Sequence, residues 1–227
     1  HLPDVVAAIL SIAFVISIRA GGLLLICYLF LFLFISLASI FIKDSVQLGR
    51  FGAIVVAPIV EEITKGLFLL ITIANKKFDN ITDGIVYGGA IGLGFGMTEN
   101  FLYFVTYGES VANWIMLVIV RSLFSAVMHC VSTATLGAFL GLAKFKSPVK
   151  KVVYASIGLI IAMMIHSIWN FSLSYENIAP IGYLFMLVSI IIFLSTFSVS
   201  LRGERRTIFN ELKEESEIGV IPESNLV

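Results

Sequence analysis

Residues 181–201, IGYLFMLVSIIIFLSTFSVSL, form an apolar segment without a single acidic or basic side chain. A helix needs about 20 apolar residues to cross the hydrocarbon core of a bilayer, which is about 30 Å thick, so this segment predicts a transmembrane helix. Residues 20–42 have the same character. Two such segments favour an α-helical membrane protein over a soluble domain.

The composition of the whole chain agrees with this prediction. Of the 227 residues, 59% are hydrophobic and 13% are charged, and the mean hydropathy is +1.01. This balance excludes a disordered chain, a nucleic-acid-binding protein and an ordinary cytosolic enzyme. Lys plus Arg equal Asp plus Glu at 15 each, so no net charge attracts a polyanionic partner. The lipid bilayer is the expected surroundings.

Charged clusters and turn residues divide the chain into seven predicted spans, which gives an all-α, polytopic transmembrane bundle. The spans cover residues 4–18, 20–42, 51–74, 84–106, 112–143, 152–174 and 181–201. The first span is short and can form a hairpin with the second. No cleavable signal sequence is evident at the start. We expect residues 1–201 to form the transmembrane domain and residues 202–227 a charged tail.

The distribution of cations between the spans predicts the orientation, because Lys and Arg near span ends are retained in the cytoplasm. One side carries only Lys43 and Arg50, against ten cations on the other. Those ten are Arg19, Lys76, Lys77, Lys144, Lys146, Lys150, Lys151, Arg202, Arg205 and Arg206. The C-terminus is therefore expected in the cytoplasm.

Seven ionisable side chains fall at bilayer depth, where each charge costs about 3 kcal/mol or more. They are Glu61, Glu62, Lys65, Glu99, Arg121, His129 and His166. All of them lie in the third to sixth predicted spans, and none in the second or seventh. We therefore expect those four helices to surround an intramembrane polar cavity, with the core of the site between residues 51 and 174.

The third and fourth spans have spacings that bring these groups together. Lys65 follows Glu61 by four residues and Glu62 by three, so it can pair with either carboxylate across one helical turn. Pro58, just before the pair, removes a backbone hydrogen bond. In the fourth span a row of glycines at fourfold spacing predicts close helix packing, and Glu99 and Asn100 follow it. The row consists of Gly84, Gly88, Gly92 and Gly96.

The fifth and sixth spans each carry a polar stripe on an apolar helix. The fifth has Arg121, Ser125, His129 and Thr133 at fourfold spacing, and the sixth has His166 and Asn170. At about 1.5 Å per helical residue, the positions of the ionisable groups place the centre mid-membrane, displaced toward the extracytoplasmic face.

These residue types indicate hydrolysis by activated water. Carboxylates in a cavity with little water suit a general base, imidazoles can transfer a proton or bind a metal, and an Asn amide can donate to an oxyanion. No Ser or Cys stands in a nucleophile elbow, so an acyl-enzyme is disfavoured. Direct attack of water on a carbonyl remains, and the residues alone do not distinguish Glu61 from Glu62 as its base.

Four motifs in order resemble those of the PrsW intramembrane proteases, relatives of the CAAX-processing and bacteriocin-processing membrane endopeptidases. They are EEITK at 61–65, FGMTEN at 95–100, HCVST at 129–133 and HSIWN at 166–170. The resemblance implies an endopeptidase in a prokaryotic cell membrane that cleaves single-span membrane proteins. Anti-sigma factors, cut on the extracytoplasmic side, are the implied substrate class.

The resemblance also implies roles for individual residues. Glu61 or Glu62 would polarise or deprotonate the attacking water, and Lys65 would hold the other carboxylate. His129 and His166 would complete the site, Asn170 would be the oxyanion donor, and Asn100 and Arg121 would support the catalytic residues. The CAAX-processing relatives have a His where this chain has Glu99, so Glu99 either shares the proton transfer or binds a metal.

The sequence leaves metal dependence open. Glu99, His129 and His166 form a candidate Zn²⁺ set, because two imidazoles and a carboxylate are common ligands of catalytic zinc. The chain has no HExxH motif, however, and the CAAX-processing relatives are glutamate-dependent. The alternative function is a proton- or cation-coupled transporter, since chains of Glu, His and Lys also form ion relays. The clustering of the polar groups toward one face favours the protease.

Overall fold

The computed structural model describes residues 22, 25–73, 78–107, 110–218, 220 and 222. Within these residues the secondary structure is helical and contains no strand, which confirms the predicted all-α class. The helices are α1 (Leu25–Ala38), α2 (Ser45–Phe51), α3 (Ala57–Ile73), α4 (Ile81–Thr106), α5 (Val111–Val120), α6 (Ala126–Ala143), α7 (Pro148–Leu173) and α8 (Ala179–Glu217). The predicted span at residues 4–18 lies outside the described residues.

Two π-helical turns join neighbouring helices into longer rods. Gly52–Val56 connects α2 to α3, and Arg121–Ser125 connects α5 to α6. The first rod begins six residues before the predicted third span, because Asp44 caps it by accepting the N–H of Gln47 at 2.9 Å. Such π-helical turns are rare and often occur at functional sites. Here each one lies directly before a helix that carries predicted site residues.

Three helical rods among the described residues are long and apolar enough to cross a membrane: Val111–Ala143, Pro148–Leu173 and Ala179–Glu217. They correspond to the fifth, sixth and seventh predicted spans. Helix α1 is a shorter apolar helix, and α3, with 17 residues, contains three charged side chains. The count of seven spans therefore stays a prediction.

Helices α4 and α6 form the most extensive contact among the helices that the structure describes. A Cβ atom on Gly84 would lie 2.0 Å from the carbonyl oxygen of Gly137, and one on Gly92 would lie 2.0 Å from that of His129. The two backbones touch at these points, so no larger residue fits. This finding confirms the close packing predicted for the glycine row, and it fixes α4 against the helix that carries His129.

Helices α7 and α8 complete the described bundle. Helix α7 packs beside α6, and α8 contacts α7 where Gly182 lies against Ser172. Helix α8 continues past residue 201 without a break, so residues 202–217 of the predicted tail extend the same helix. A hydrogen bond between Thr82 Oγ1 and Ser200 Oγ, 2.7 Å long, attaches α8 to the start of α4.

Candidate active site

All seven ionisable residues singled out from the sequence lie in one continuous network of contacts. Helix α3 contributes two carboxylates and Lys65, α4 contributes Glu99, and α6 and α7 contribute one histidine each. Arg121 lies in the π-helical turn that precedes α6. The side chains of Glu62 and Lys65 are fully buried, so the network is formed within the protein and is not a lipid-facing surface.

Glu62 is fully engaged by its neighbours. Its Oε1 accepts hydrogen bonds from Lys65 Nζ, from Ser132 Oγ at 3.1 Å and from His166 Nδ1 at 2.9 Å. Its Oε2 accepts from Thr133 Oγ1 at 3.4 Å. A carboxylate held by four donors is fixed in place and has little capacity left to activate water. Glu62 therefore positions its neighbours.

Glu61 has the opposite environment. Its Oε2 is the one buried side-chain nitrogen or oxygen atom in the described part of the chain that lacks a hydrogen-bond partner. This oxygen lies 3.9 Å from His129 Nδ1 and 3.9 Å from His166 Nε2. A buried polar atom without a partner costs about 1–3 kcal/mol, so its position between two imidazoles indicates a binding function.

The two imidazoles are oriented by carboxylates on their outer sides. His166 Nδ1 contacts Glu62 Oε1, and His129 Nε2 contacts Glu99 Oε2 at 3.0 Å. Because an ionised carboxylate only accepts hydrogen bonds, each of these ring nitrogens carries the proton. The other nitrogen of each neutral ring then presents its lone pair toward Glu61.

Lys65 is consistent with this assignment of tautomers. Its Nζ lies 3.1 Å from His129 Nδ1, and an ammonium group donates to an unprotonated ring nitrogen. The same Nζ contacts Glu62 and lies 4.8 Å from the centre of the Phe95 ring. In this structure the ammonium group of Lys65 therefore contacts the lone pair of His129 Nδ1.

Glu61, His129 and His166 fit a metal ion. Each offers one ligand atom, and these atoms lie within 4.8 Å of one another. Two imidazoles and a carboxylate are typical zinc ligands, and metal-binding imidazoles usually donate the N–H of the outer ring nitrogen to a carboxylate. A metal ion at His129 Nδ1 would replace the contact with Lys65. Glu99 was predicted as a member of this set, but it contacts the opposite nitrogen of His129, Nε2.

Asn100 and Arg121 hold Glu99 in this position. Arg121 Nη2 donates to Glu99 Oε2 at 2.8 Å, and Arg121 Nε donates to Asn100 Oδ1 at 2.9 Å. Asn100 Nδ2 in turn donates to the carbonyl oxygen of Arg121 at 3.0 Å. The guanidinium lies 3.5 Å from the centre of the Tyr103 ring. This arrangement fits the supporting role that the sequence analysis gave to both residues.

Asn170 contacts the other π-helical turn. Its Nδ2 donates to the carbonyl oxygen of Ala53 at 2.8 Å. In that turn the carbonyl of Gly52 accepts the N–H of Ala57, five residues on. The matching donor for Ala53 would be residue 58, which is a proline without an N–H. Asn170 supplies the missing donor and keeps one amide hydrogen for another acceptor.

A cavity of about 360 Å³ gives access to these groups. Glu61, Glu99, His129, His166 and Asn170 all line it. The sequence analysis did not identify Ser132, which holds Glu62, or Tyr28 of α1, which lines the cavity. Ser132 follows His129 by three residues, so helical spacing alone could have suggested it.

A buried carboxylate facing two oriented imidazoles, within apolar helices, has the ligand types of a catalytic zinc site. A family model described as PrsW family intramembrane metalloprotease matches residues 7–196. The chain therefore belongs to the PrsW family, is an integral membrane protein, and shares its fold with a family of peptidases. The resemblance found in the motifs is thereby confirmed.

Individual relatives agree with the family assignment. The protein named Protease PrsW from Oceanobacillus iheyensis is 31% identical over 182 residues, which cover 79% of both chains. The protein of that name from Bacillus subtilis is 28% identical over 149 residues, 65% of this chain and 64% of the relative. In Clostridioides difficile the match is 31% over 124 residues, 54% of this chain and 51% of the relative. No solved structure matches the chain significantly.

Proposed function

We propose that this protein is an intramembrane endopeptidase that hydrolyses a peptide bond of a membrane-anchored protein at the centre between α3, α4, α6 and α7. The observation that carries the proposal is the buried, unpartnered Oε2 of Glu61, which lies between Nδ1 of His129 and Nε2 of His166, the unprotonated nitrogens of the two rings. A structural ion pair would leave no such oxygen. Membership of a metalloprotease family supports the same conclusion.

Glu61, His129 and His166 would hold a divalent metal ion, and their donor types suit Zn²⁺. When bound, such an ion supplies a Lewis acid that polarises a carbonyl and makes a bound water nucleophilic. Glu62 and Glu99 keep the outer nitrogens of the two rings protonated, so both lone pairs face the centre. In this proposal Glu61 binds the metal ion, and Glu62 positions His166 and Lys65.

Two further polar residues of the cavity wall, Glu99 and Asn170, have roles in the proposed hydrolysis of the peptide bond. Hydrolysis adds a hydroxyl to the carbonyl carbon and a proton to the leaving nitrogen. Glu99 lines the cavity, and we assign to it the transfer of the proton from the attacking water to the leaving amine. The amide hydrogen that Asn170 does not use on Ala53 is available to the carbonyl oxygen that becomes negative.

The proposed substrate is a single-span membrane protein, of the anti-sigma-factor kind, cut near the extracytoplasmic face. The depth of the site supports that side. His166 lies seven residues from the Leu173 end of α7 and 18 from the Pro148 end, or about 10 Å against about 27 Å along the helix. The cations Lys150 and Lys151 mark the distant end. The proposal includes seven spans with the C-terminus in the cytoplasm.

Cleavage and metal content together test this function. The full chain is co-expressed with a tagged single-span substrate, and Glu61→Gln is compared with Glu211→Gln, a matched change on the exposed cytoplasmic part of α8. We expect Glu61→Gln to abolish cleavage and to lose bound zinc in elemental analysis, whereas Glu211→Gln keeps both. Full cleavage by Glu61→Gln would overturn the proposal.

The same variants separate the protease from the transporter. A transporter reconstituted in vesicles would carry protons or cations across the membrane, and Glu61→Gln would stop that flux. We expect no flux above that of empty vesicles, because the cavity lies toward one end of the bundle. Flux without cleavage of any substrate would favour the transporter.

A further inference from the structure

A second cavity of about 590 Å³ lies between α3, α6 and α7. Among the residues that the structure describes, none lines both this cavity and the active site. The described walls are apolar, and the two charged residues among them are Lys144 and Lys151, both at the same end. The cavity has no part in the proposed hydrolysis, so it needs a separate explanation.

Small side chains in the walls leave room for this cavity, and large apolar side chains line the rest of it. Gly66 lies in the wall, where a Cβ atom would approach Leu136 Cδ2 to 3.1 Å, and Ala155 and Ser156 of α7 lie opposite. Leu67, on the rim, is 58% exposed. The cavity is therefore a groove in the surface of the bundle that is open to the hydrocarbon of the bilayer.

The length of the groove matches one lipid leaflet. On α3 its lining runs from Ile63 to Ile73, ten residues or about 15 Å at about 1.5 Å per residue. The hydrocarbon core of a bilayer is about 30 Å thick, so one leaflet contributes about half of that. A transmembrane helix of a partner protein would need a groove of twice this length.

The charged end of the groove is suited to a phosphate. Lys151 is exposed, and Lys144 Nζ donates to the carbonyl oxygen of Ile73 at 3.1 Å with further hydrogens available. Lys146, in the connection between α6 and α7, and Lys150, in the first turn of α7, are also exposed. None of the described residues that line the groove is acidic. Lysines just outside a span attract anionic lipid headgroups.

We propose that the groove binds one anionic phospholipid, with an acyl chain against Gly66 and Ser156 and the phosphate at Lys144 and Lys151. The bound chain would pack against the turn of α3 that follows Lys65, so the lipid would support the helix that carries the two site carboxylates. This binding is independent of the proposed hydrolysis, and its test does not depend on cleavage.

The test measures which lipid the purified full chain retains. Nanodiscs contain equal amounts of dioleoyl phosphatidylglycerol and dioleoyl phosphatidylcholine, and native mass spectrometry counts the lipids that stay bound. Ser156→Phe fills the groove, and Val153→Phe makes the same change at a lipid-facing position of α7 that does not line it. Lys151→Gln is compared with Lys150→Gln.

We expect the unmodified protein to retain one phosphatidylglycerol in preference to phosphatidylcholine. Ser156→Phe should lose it and Val153→Phe should keep it. Lys151→Gln should weaken the preference by about fivefold, the equivalent of about 1 kcal/mol for one lysine near an anionic surface. Equal retention of the two lipids, equal behaviour of the two Phe variants, or a second copy of the chain bound in place of lipid would overturn the proposal.

Discussion

At the scale of single residues, Glu61 and Glu62 are neighbours of the same type with opposite environments. Four donors surround Glu62, whereas Oε2 of Glu61 has none. In a helix, adjacent residues point about 100° apart, so one carboxylate faces the Lys65 side and the other faces the cavity. The difference in environment predicts a difference in what each residue contributes.

Exchanging each glutamate for glutamine should separate stability from binding. Glu62→Gln leaves the ammonium of Lys65 buried without its carboxylate, and breaking a buried pair costs about 3–5 kcal/mol. Glu61→Gln removes no hydrogen bond of Oε2 and should lower stability far less. Thermal unfolding of both variants in detergent, followed by tryptophan fluorescence, measures the difference. Equal melting temperatures for the two variants would contradict this assignment.

The sequence was sufficient to identify the ionisable residues that the structure brings together, and it was insufficient to predict which of them contact each other. Glu61, Glu99 and His129 stand out because an ionisable group in an apolar helix is costly. Which carboxylate faces which ring nitrogen depends on helix rotations of tens of degrees, which spacing does not fix. Ser132 and Tyr28 were missed because uncharged polar groups are common in membrane helices and mark nothing by themselves.

At the scale of helices, the glycine row lets α4 approach α6 closely enough for Glu99 to contact His129. The Cβ of an alanine at position 92 would lie 2.0 Å from the carbonyl oxygen of His129. Since that contact is backbone, the two helices must separate. The same displacement moves His129 away from Glu99, which is on α4.

Gly92→Ala should therefore reduce both stability and metal binding. The matched control is Gly203→Ala, in the interior of α8, where nothing lies within 4 Å of a Cβ atom. Alanine is favoured over glycine in a helix by about 1 kcal/mol, so the control should be neutral or slightly stabilising. Thermal unfolding and zinc content of the two variants provide the comparison. A Gly92→Ala protein that melts and binds zinc as the control does would refute the proposed role of the contact.

A second prediction at this scale concerns the π-helical turn before α3 and its hydrogen bond with Asn170. Asn170 donates to the carbonyl of Ala53 because Pro58 has no N–H to offer. Asn170→Ala should lower stability by about 1 kcal/mol. In a Pro58→Ala background the backbone N–H of residue 58 can replace the amide, so the loss should be smaller.

A double-mutant cycle measures this coupling, which we expect to be about 0.5–1.5 kcal/mol. Cleavage of the substrate should stay low in both backgrounds that carry Asn170→Ala, because Pro58→Ala does not restore the proposed oxyanion donor. Strictly additive effects on stability would show that Pro58 and Asn170 act independently.

At the scale of the whole molecule, the class of fold was predictable and its details were not. Hydropathy identified three helical rods from the predicted spans at residues 112–143, 152–174 and 181–201, because uninterrupted apolar length is what a bilayer requires. The boundaries of the rod at 45–73 were not predicted, since it passes through a π-helical turn and starts at a cap on Asp44. The length of α8 was also unexpected, because the charges after residue 201 predicted a tail separate from the seventh span.

The orientation of the molecule gives the last prediction. The excess of ten cations over two predicts that Glu211 of α8 lies in the cytoplasm and that Ser110, between α4 and α5, lies outside. Single cysteines at these exposed positions can be treated with a membrane-impermeant maleimide in intact cells. Ser110→Cys should react directly and Glu211→Cys only after permeabilisation, while the unmodified chain stays unlabelled because Cys27 and Cys130 lie within the bundle. The reverse pattern would invert the topology and move the site to the cytoplasmic side, where extracytoplasmic cleavage is impossible.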